Sequence, residues 1–292
     1  MKTYLECIPC FFKQALEAAK VCGADVSVHK KIVDDVARML PDFSLDFSPP
    51  EMGRMIHAIV KKHTKKEDPY KEIKQKSNAL ALGVFDVLKQ KVEKSDDKLL
   101  TAVELAIAGN IIDYGVKNSL DVDSEIEKIL RDEHIAIKHE DGRFFRYDLF
   151  REVLDKSNSI LYLGDNAGET VFDRFLLEEI KARGKNIIYA VKEKPIINDA
   201  LVEDAHVSGI DKFAKVISSG SDAPGTVLSI CSKEFIALFE KSDMVISKGQ
   251  GNFEALSFVK RTVFFLFMAK CPVVVRHVGC NLRDILLMCN SD

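Results

Sequence analysis

The chain has 292 residues, 47% of them hydrophobic and 30% charged, which suffices for a large core and for two domains. Its formal net charge of −3 gives no general attraction to nucleic acid or to an anionic membrane. The start, Met1-Lys2-Thr3-Tyr4-Leu5-Glu6-Cys7, lacks a signal peptide's apolar stretch, and the longest apolar run, Val263 to Ala269, is too short to span a bilayer.

The first part of the chain, from about residue 8 to 134, reads as helical. Phe11, Phe12, Ala15, Leu16 and Ala19 recur at helical spacing, as do Ile32, Val33, Val36, Ala37 and Leu40. Pro49-Pro50 opens a third helix through Met52, Met55, Ile56, Ile59 and Val60, and Asp68-Pro69 introduces a long fourth. A fifth is expected from about Leu99 to Val116 and a sixth over Ser124 to Leu130, followed by a short hairpin over Ile135 to Phe145 turning at Asp141-Gly142. The pattern changes near residue 157. Strands are expected at Ser159 to Leu163, Asn186 to Val191, Lys215 to Ser218, Met244 to Ser247, Val263 to Phe267 and Val273 to Arg276. The helices between them are Gly168 to Ala182, Ile197 to Ala205, Lys233 to Lys241 and Asn252 to Val259, with Leu282 to Met288 closing the chain as a last helix. Short apolar strands alternating with helices predict an α/β unit: a Rossmann-like, mainly parallel sheet with helices on both faces. The expected division is a helical domain over 1–150 and an α/β domain over 151–292, with the boundary near 145–157.

Polar, glycine-bearing clusters follow the expected strands. Asp165-Asn166 with Gly168 and Glu169 follows the first, and Lys194 to Asp199, ending in Asn198-Asp199, follows the second. Ser218 to Thr226 follows the third, and Ser247-Lys248-Gly249-Gln250-Gly251-Asn252-Phe253-Glu254 follows the fourth. Parallel strands deliver such loops to one sheet edge, where ligands bind. Asp165, Asn166 and Asp199 offer two carboxylates and an amide oxygen, a set suited to a hard divalent ion such as Mg²⁺ or Mn²⁺. Lys248 adds a fixed positive charge, and Gly249 and Gly251 leave backbone N–H groups open to an anion. Together these describe a phosphoryl site. The competing structural reading makes Asp165-Asn166 and Asn198-Asp199 helix caps or turn devices.

The motifs Gly164-Asp165-Asn166-Ala167-Gly168-Glu169, Asn198-Asp199 and Lys248 to Glu254, with Ala108-Gly109-Asn110-Ile111-Ile112-Asp113, resemble the metal-dependent damage-control phosphatases, long called domain of unknown function 89. The resemblance spans nearly the whole chain. It implies a helical cap over an α/β domain, and a divalent metal (Mn, Mg, Co or Ni) on Asp165, Asn166 and Asp199. It also implies Lys248 on the substrate phosphate, with hydrolysis of small phosphorylated metabolites such as sugar phosphates or phosphopantetheine-like compounds. Asp165 and Lys248 are the expected catalytic residues; Glu169, Asn110, Asp113, Asn198, Gly249, Gly251 and Asn252 are expected at the substrate. Asp165 is expected to serve the ion, with water rather than an aspartyl phosphate in the hydrolytic step.

The seven cysteines are scattered, which is no disulfide framework and points to a reducing cytoplasm. Cys7-Ile8-Pro9-Cys10 opens a helix and resembles the N-terminal CxxC of the family's archaeal-type branch. A helix N-terminus lowers a thiol's pKa, so the pair carries a possible redox or structural role. Two further readings stand beside the phosphatase. Leu161 to Gly168 superficially matches the nucleotide loop of an S-adenosylmethionine-dependent methyltransferase, although Asn166 replaces the glycine wanted there. A non-enzymatic metal- or thiol-binding protein would work through Cys7 and Cys10.

Overall fold

The computed structural model of the chain describes residues 1–110 and 142–290. The expected helix over 124–130, Asp113, the end of the fifth helix and most of the expected hairpin lie outside the described residues. The helical part supplies α1 (Cys7–Val21), α2 (Val26–Met39), α3 (Pro49–Thr64), α4 (Lys71–Lys94) and α5 (Lys98–Ala108). Local chemistry sets their starts. Asp25 caps α2 by accepting from Val28 N at 3.0 Å, a bond worth about 1 kcal/mol. The start of α3 combines Pro49-Pro50 with a capping box between Ser48 and Glu51. Leu99 and every side chain of α5 from Thr101 on are buried, the mark of a helix enclosed on nearly all sides.

After α6 (Tyr147–Lys156) come β1 (Ser159–Leu163), α7 (Glu169–Ala182), β2 (Asn186–Val191), α8 (Val202–Val207) and β3 (Lys215–Ser218). Then follow α9 (Lys233–Lys241), β4 (Met244–Lys248), α10 (Gln250–Leu256), β5 (Phe264–Met268), α11 (Pro272–Val278) and β6 (Ile285–Cys289). The sheet order is β3-β2-β1-β4-β5-β6, parallel throughout except for β6, which runs antiparallel to β5.

Two expected elements exchange roles. Val273 to Arg276, read as a strand, lies in α11, where Pro272 occupies the first turn. Leu282 to Met288, read as a helix, contains most of β6: Ile285, Leu286 and Leu287 are buried on successive positions, which a strand inside a covered sheet allows.

Alternation along the strands sends side chains to two cores. Ile160, Tyr162, Tyr189, Ile246 and Phe264 join α4, α5, α6 and α7 on one face. Leu161, Leu163, Val245, Phe265 and Phe267 join α1, α2, α3 and α10 on the other. The N-terminal helices thus pack on both sides of the sheet and bring their ends to its carboxyl edge. Among the described residues no helix is long and apolar enough to cross a membrane.

Candidate active site

In the strand order, β1 is followed to one side by β2 and to the other by β4, which places the topological switch point between β1 and β4. The loop after β1 carries Asp165 and Asn166, and Gly249 follows β4 directly. A lattice of backbone bonds ties the β1 loop to the loop after β2. Gly164 N donates to Ala190 O at 2.9 Å, Ala200 N to Asp165 O at 2.8 Å, and Ala167 N to Asn198 O at 3.0 Å. Asn166 and Asp199 form an antiparallel bridge. From the helical side, Asn78 of α4 accepts from Gly168 N at 2.7 Å and donates to Asp204 at 2.9 Å.

The side chains extend the lattice. Asn166 Nδ2 donates to Asp165 Oδ2 at 3.0 Å and to Glu169 Oε1 at 2.9 Å, so its Oδ1 faces away from those carboxylates. Asn110 Nδ2 donates to Glu169 Oε1 at 2.6 Å, and its buried Oδ1 has no hydrogen-bond partner among the described residues. Asp165, Asn166, Asn198, Asp199, Asn110 and Gly251 line one cavity of about 280 Å³. Burial, then the nearby carboxylates Glu169 and Asp199, hold the Asp165 carboxyl well above the ordinary aspartate range; Lys192 and Lys270 act in the opposite sense.

Gly249 makes this packing possible. Its φ of 80° and ψ of 157° lie in a region open essentially to glycine, and a Cβ there would overlap the Asp165 carboxylate. Gly249→Ala should therefore displace Asp165. The expected result is a hydrolysis rate down about a hundredfold, as for a displacement of about 1 Å at a reacting centre. Thermal melting should show a stability loss of about 1–3 kcal/mol. An unchanged rate would refute the packing argument. Gly251 also admits a close approach, since a Cβ would overlap the Pro224 carbonyl oxygen.

Lys248, like Glu169, Gly249 and Asn252, lies behind the cavity lining rather than on it. Its ammonium is 2.6 Å from Asp173 and 3.4 Å from Glu169, its side chain is 1% exposed, and it is not part of the cavity wall. Burial works against its charge, but Asp173 and Glu169 outweigh it and raise the ammonium's pKa. Asp173 also accepts from Tyr162 Oη at 2.8 Å and Tyr189 Oη at 2.6 Å. Asn252 is wholly buried: it accepts from Thr226 N at 2.7 Å and donates to Lys248 O at 2.7 Å, bracing the loop after β4 against the segment before α9. Asn198 lies on the wall at 1% exposure and contributes its carbonyl to the backbone lattice.

Cys7 and Cys10 reach the same cavity from the first turn of α1, with Cys271 beside them. The expected lowering of their thiol pKa does not occur, because burial raises both.

Sequence reasoning missed Asp173, Tyr162, Tyr189, Lys192 and Lys270. Asp173 had a detectable signal, since it lies four residues after Glu169 and shares its helix face. The tyrosines were hidden inside an apolar strand pattern.

Among the described residues no three His, Cys, Asp or Glu side chains are grouped to hold a metal ion. Two carboxylates and an amide, Asp165, Asp199 and Asn166, nevertheless meet on one cavity wall, a hard donor set that leaves room for ligands from water or phosphate. The Asp165 carboxylate fits into the space that a side chain at Gly249 would fill.

The model of the damage-control phosphatase ARMT1-like domain matches residues 3–286. The chain is 38% identical to damage-control phosphatase PH1575 of Pyrococcus horikoshii, over 100% of this chain and 99% of that one. The crystal structure of that protein, a duf89 family member, superposes with a TM-score of 0.87 at 34% identity and covers 100% of both chains. A damage-control phosphatase of Archaeoglobus fulgidus is 33% identical over 98% of each chain. The 4'-phosphopantetheine phosphatase of Mus musculus is 25% identical over 56% of this chain and 23% of its own length. These matches decide for the phosphatase over the methyltransferase and the non-enzymatic binder: the chain belongs to the damage-control phosphatase family and is an enzyme of that class.

Proposed function

We propose that the chain is a divalent-metal-dependent phosphatase acting on small phosphorylated metabolites in the cytoplasm, with Asp165, Asn166 and Asp199 as the cation ligands. The observation that carries this reading is the joining of the two ligand loops at the switch point by the Asn166–Asp199 bridge, with all three side chains on one cavity wall. Asp165, Asn166 and Asp199 would hold the ion, their oxygen donors suit Mn²⁺, Mg²⁺, Co²⁺ or Ni²⁺, and the ion would compensate charge on the phosphoryl oxygens.

The chain's own groups prepare the site. The Asn166 amide spaces Asp165 from Glu169, and Glu169 is fixed by donors from Asn110, Asn166 and Lys248. Lys248 offsets the acidic cluster from beneath the cavity. Gly249 and Gly251 keep the facing backbone close, and Asn252 fixes it. The cavity excludes a bulky partner and accepts a substrate of metabolite size, such as a sugar phosphate or a phosphopantetheine-like compound. A water is the proposed attacking group, because Asp165 is reserved for the ion.

Metal removal tests the reading. Hydrolysis of p-nitrophenyl phosphate, or of a panel containing sugar phosphates and 4'-phosphopantetheine, should fall about a hundredfold or more after EDTA treatment and dialysis. Adding Mn²⁺ should restore it. Equal rates with and without the ion would end the proposal.

A further inference from the structure

Asn78 stands on α4, in the helical part of the chain, yet its side chain reaches the loops that carry the proposed cation ligands. Its Oδ1 accepts from Gly168 N at 2.7 Å, two residues past Asn166. Its Nδ2 donates to Asp204 Oδ1 at 2.9 Å. The other oxygen of that carboxylate accepts from Leu201 N at 2.9 Å, two residues past Asp199. One amide therefore connects both ligand loops to a helix. Asn78 and Asp204 are 4% and 5% exposed, so water hardly competes for these bonds. Lys74, one turn earlier on α4, supplies a counter-charge 3.6 Å from Asp204.

Asp165 and Asp199 carry like charges on adjacent loops, and their repulsion acts to spread the loops apart. The bonds from Ala200 N to Asp165 O and from Ala167 N to Asn198 O resist this within the sheet edge. Asn78 resists it from outside, on a rigid support. Phe85 of α4 stacks on Phe175 of α7 with ring centroids 4.7 Å apart, and a Cβ on Gly168 would stand 2.9 Å from Ser77 Cβ.

We infer that Asn78 is a positioning residue for the cation site: it holds the Asp165-Asn166 loop and the Asp199 loop at the spacing a divalent ion requires. The inference rests on the metal-site reading for the identity of the ligands. Asn78 is absent from the cavity wall and acts only through the two loops. Groups behind the ligands that fix their orientation commonly change metal affinity by about tenfold to a hundredfold when mutated.

The two ends of the amide make the test specific. Asn78→Asp keeps an acceptor for Gly168 N, loses the donor and sets two carboxylates together. Mn²⁺ titrated calorimetrically into the whole protein should bind this variant about tenfold to a hundredfold more weakly than wild type. The exchange variant Asn78→Asp, Asp204→Asn reverses the donor, leaves an oxygen for Gly168 N and another for Leu201 N, and conserves net charge. Its Mn²⁺ affinity should return to within about threefold of wild type, as expected for two groups coupled by one bond. Val36→Ala, in the core on the other face of the sheet, should lower the melting temperature without moving Mn²⁺ affinity, which separates positioning from stability. Asn78→Ala replaces Asn78→Asp if the latter does not fold. Unchanged Mn²⁺ affinity in the folded single variant, or an exchange variant that binds no better than it, would overturn the inference. Hydrogen–deuterium exchange on the same samples keeps the two readings apart: it should quicken over residues 164–170 and 198–204 in the single variant and not in Val36→Ala. A wild type that binds no Mn²⁺ ends the metal reading, and unchanged exchange over those loops ends the role of Asn78.

Discussion

Asp165→Asn should abolish hydrolysis while raising the melting temperature of the metal-free protein. Activity is expected to fall about a thousandfold or more, because an amide supplies neither the charge nor the second anionic oxygen of a cation ligand. The stability effect has the opposite sign. In the wild type a buried carboxylate faces Glu169 and Asp199, and burial is the largest cause of its raised pKa. Asparagine has nearly the same shape, removes the buried charge and keeps an oxygen for the Asn166 amide, which sits 3.0 Å away. Lys192 and Lys270 lose some attraction, but they are the smaller contributors. The expected gain is roughly 1 kcal/mol, or about 2–4 °C in melting temperature. Adding Mn²⁺ should raise the wild-type melting temperature and leave the variant unmoved. A variant that melts lower than wild type without metal would mean that Asp165 serves the fold rather than the ion.

Asp173→Asn should be the most destabilising single change in the site. The carboxylate accepts from Tyr162, Tyr189 and Lys248, each within 2.8 Å, and is fully buried. Removing its charge leaves the Lys248 ammonium buried with only the 3.4 Å contact to Glu169. Breaking a buried ion pair from one side costs about 3–5 kcal/mol, which corresponds to roughly 10 °C in melting temperature here. The double variant Asp173→Asn, Lys248→Met, which keeps an amide oxygen for the tyrosine hydroxyls, tests the cause. It removes both charges and should recover much of the lost stability while remaining inactive. If it melts no higher than Asp173→Asn alone, the unpaired lysine is not the source of the loss.

The parts of the site that follow strands were legible because each combines an apolar run with an abrupt polar, glycine-bearing loop. Asp165-Asn166, Asn198-Asp199 and Lys248 to Asn252 were found in that way, and the alternation of strands and helices gave the sheet. The last segments were misread because composition there does not decide. Val273, Val274 and Val275 favour a strand by propensity, yet Pro272 and the surrounding packing make them helical. The antiparallel pairing of β6 with β5 is a tertiary choice that no local pattern records. The placement of Lys248 was also beyond sequence reading. Spacing located it at a strand end, but only the fold brings Asp173, itself held by Tyr162 and Tyr189, to its ammonium.

The bridge between Asn166 and Asp199 has a consequence for how this enzyme can diversify. The proposed cation ligands are carried on backbone that hydrogen-bonds as an extension of the sheet, from Gly164 to Ala167 and from Asn198 to Ala200. Much of the remaining wall comes from α1, α3 and the β5–α11 segment through Cys7, Cys10, Phe11, Pro49, Pro50 and Cys271, none of which belongs to that lattice. Exchanging side chains on this rim would reshape the space above the proposed cation site without altering the distances between Asp165, Asn166 and Asp199. The chemistry and the choice of metabolite are thereby modular: a lineage can acquire a new substrate by substitutions in the helices while inheriting an unaltered catalytic floor.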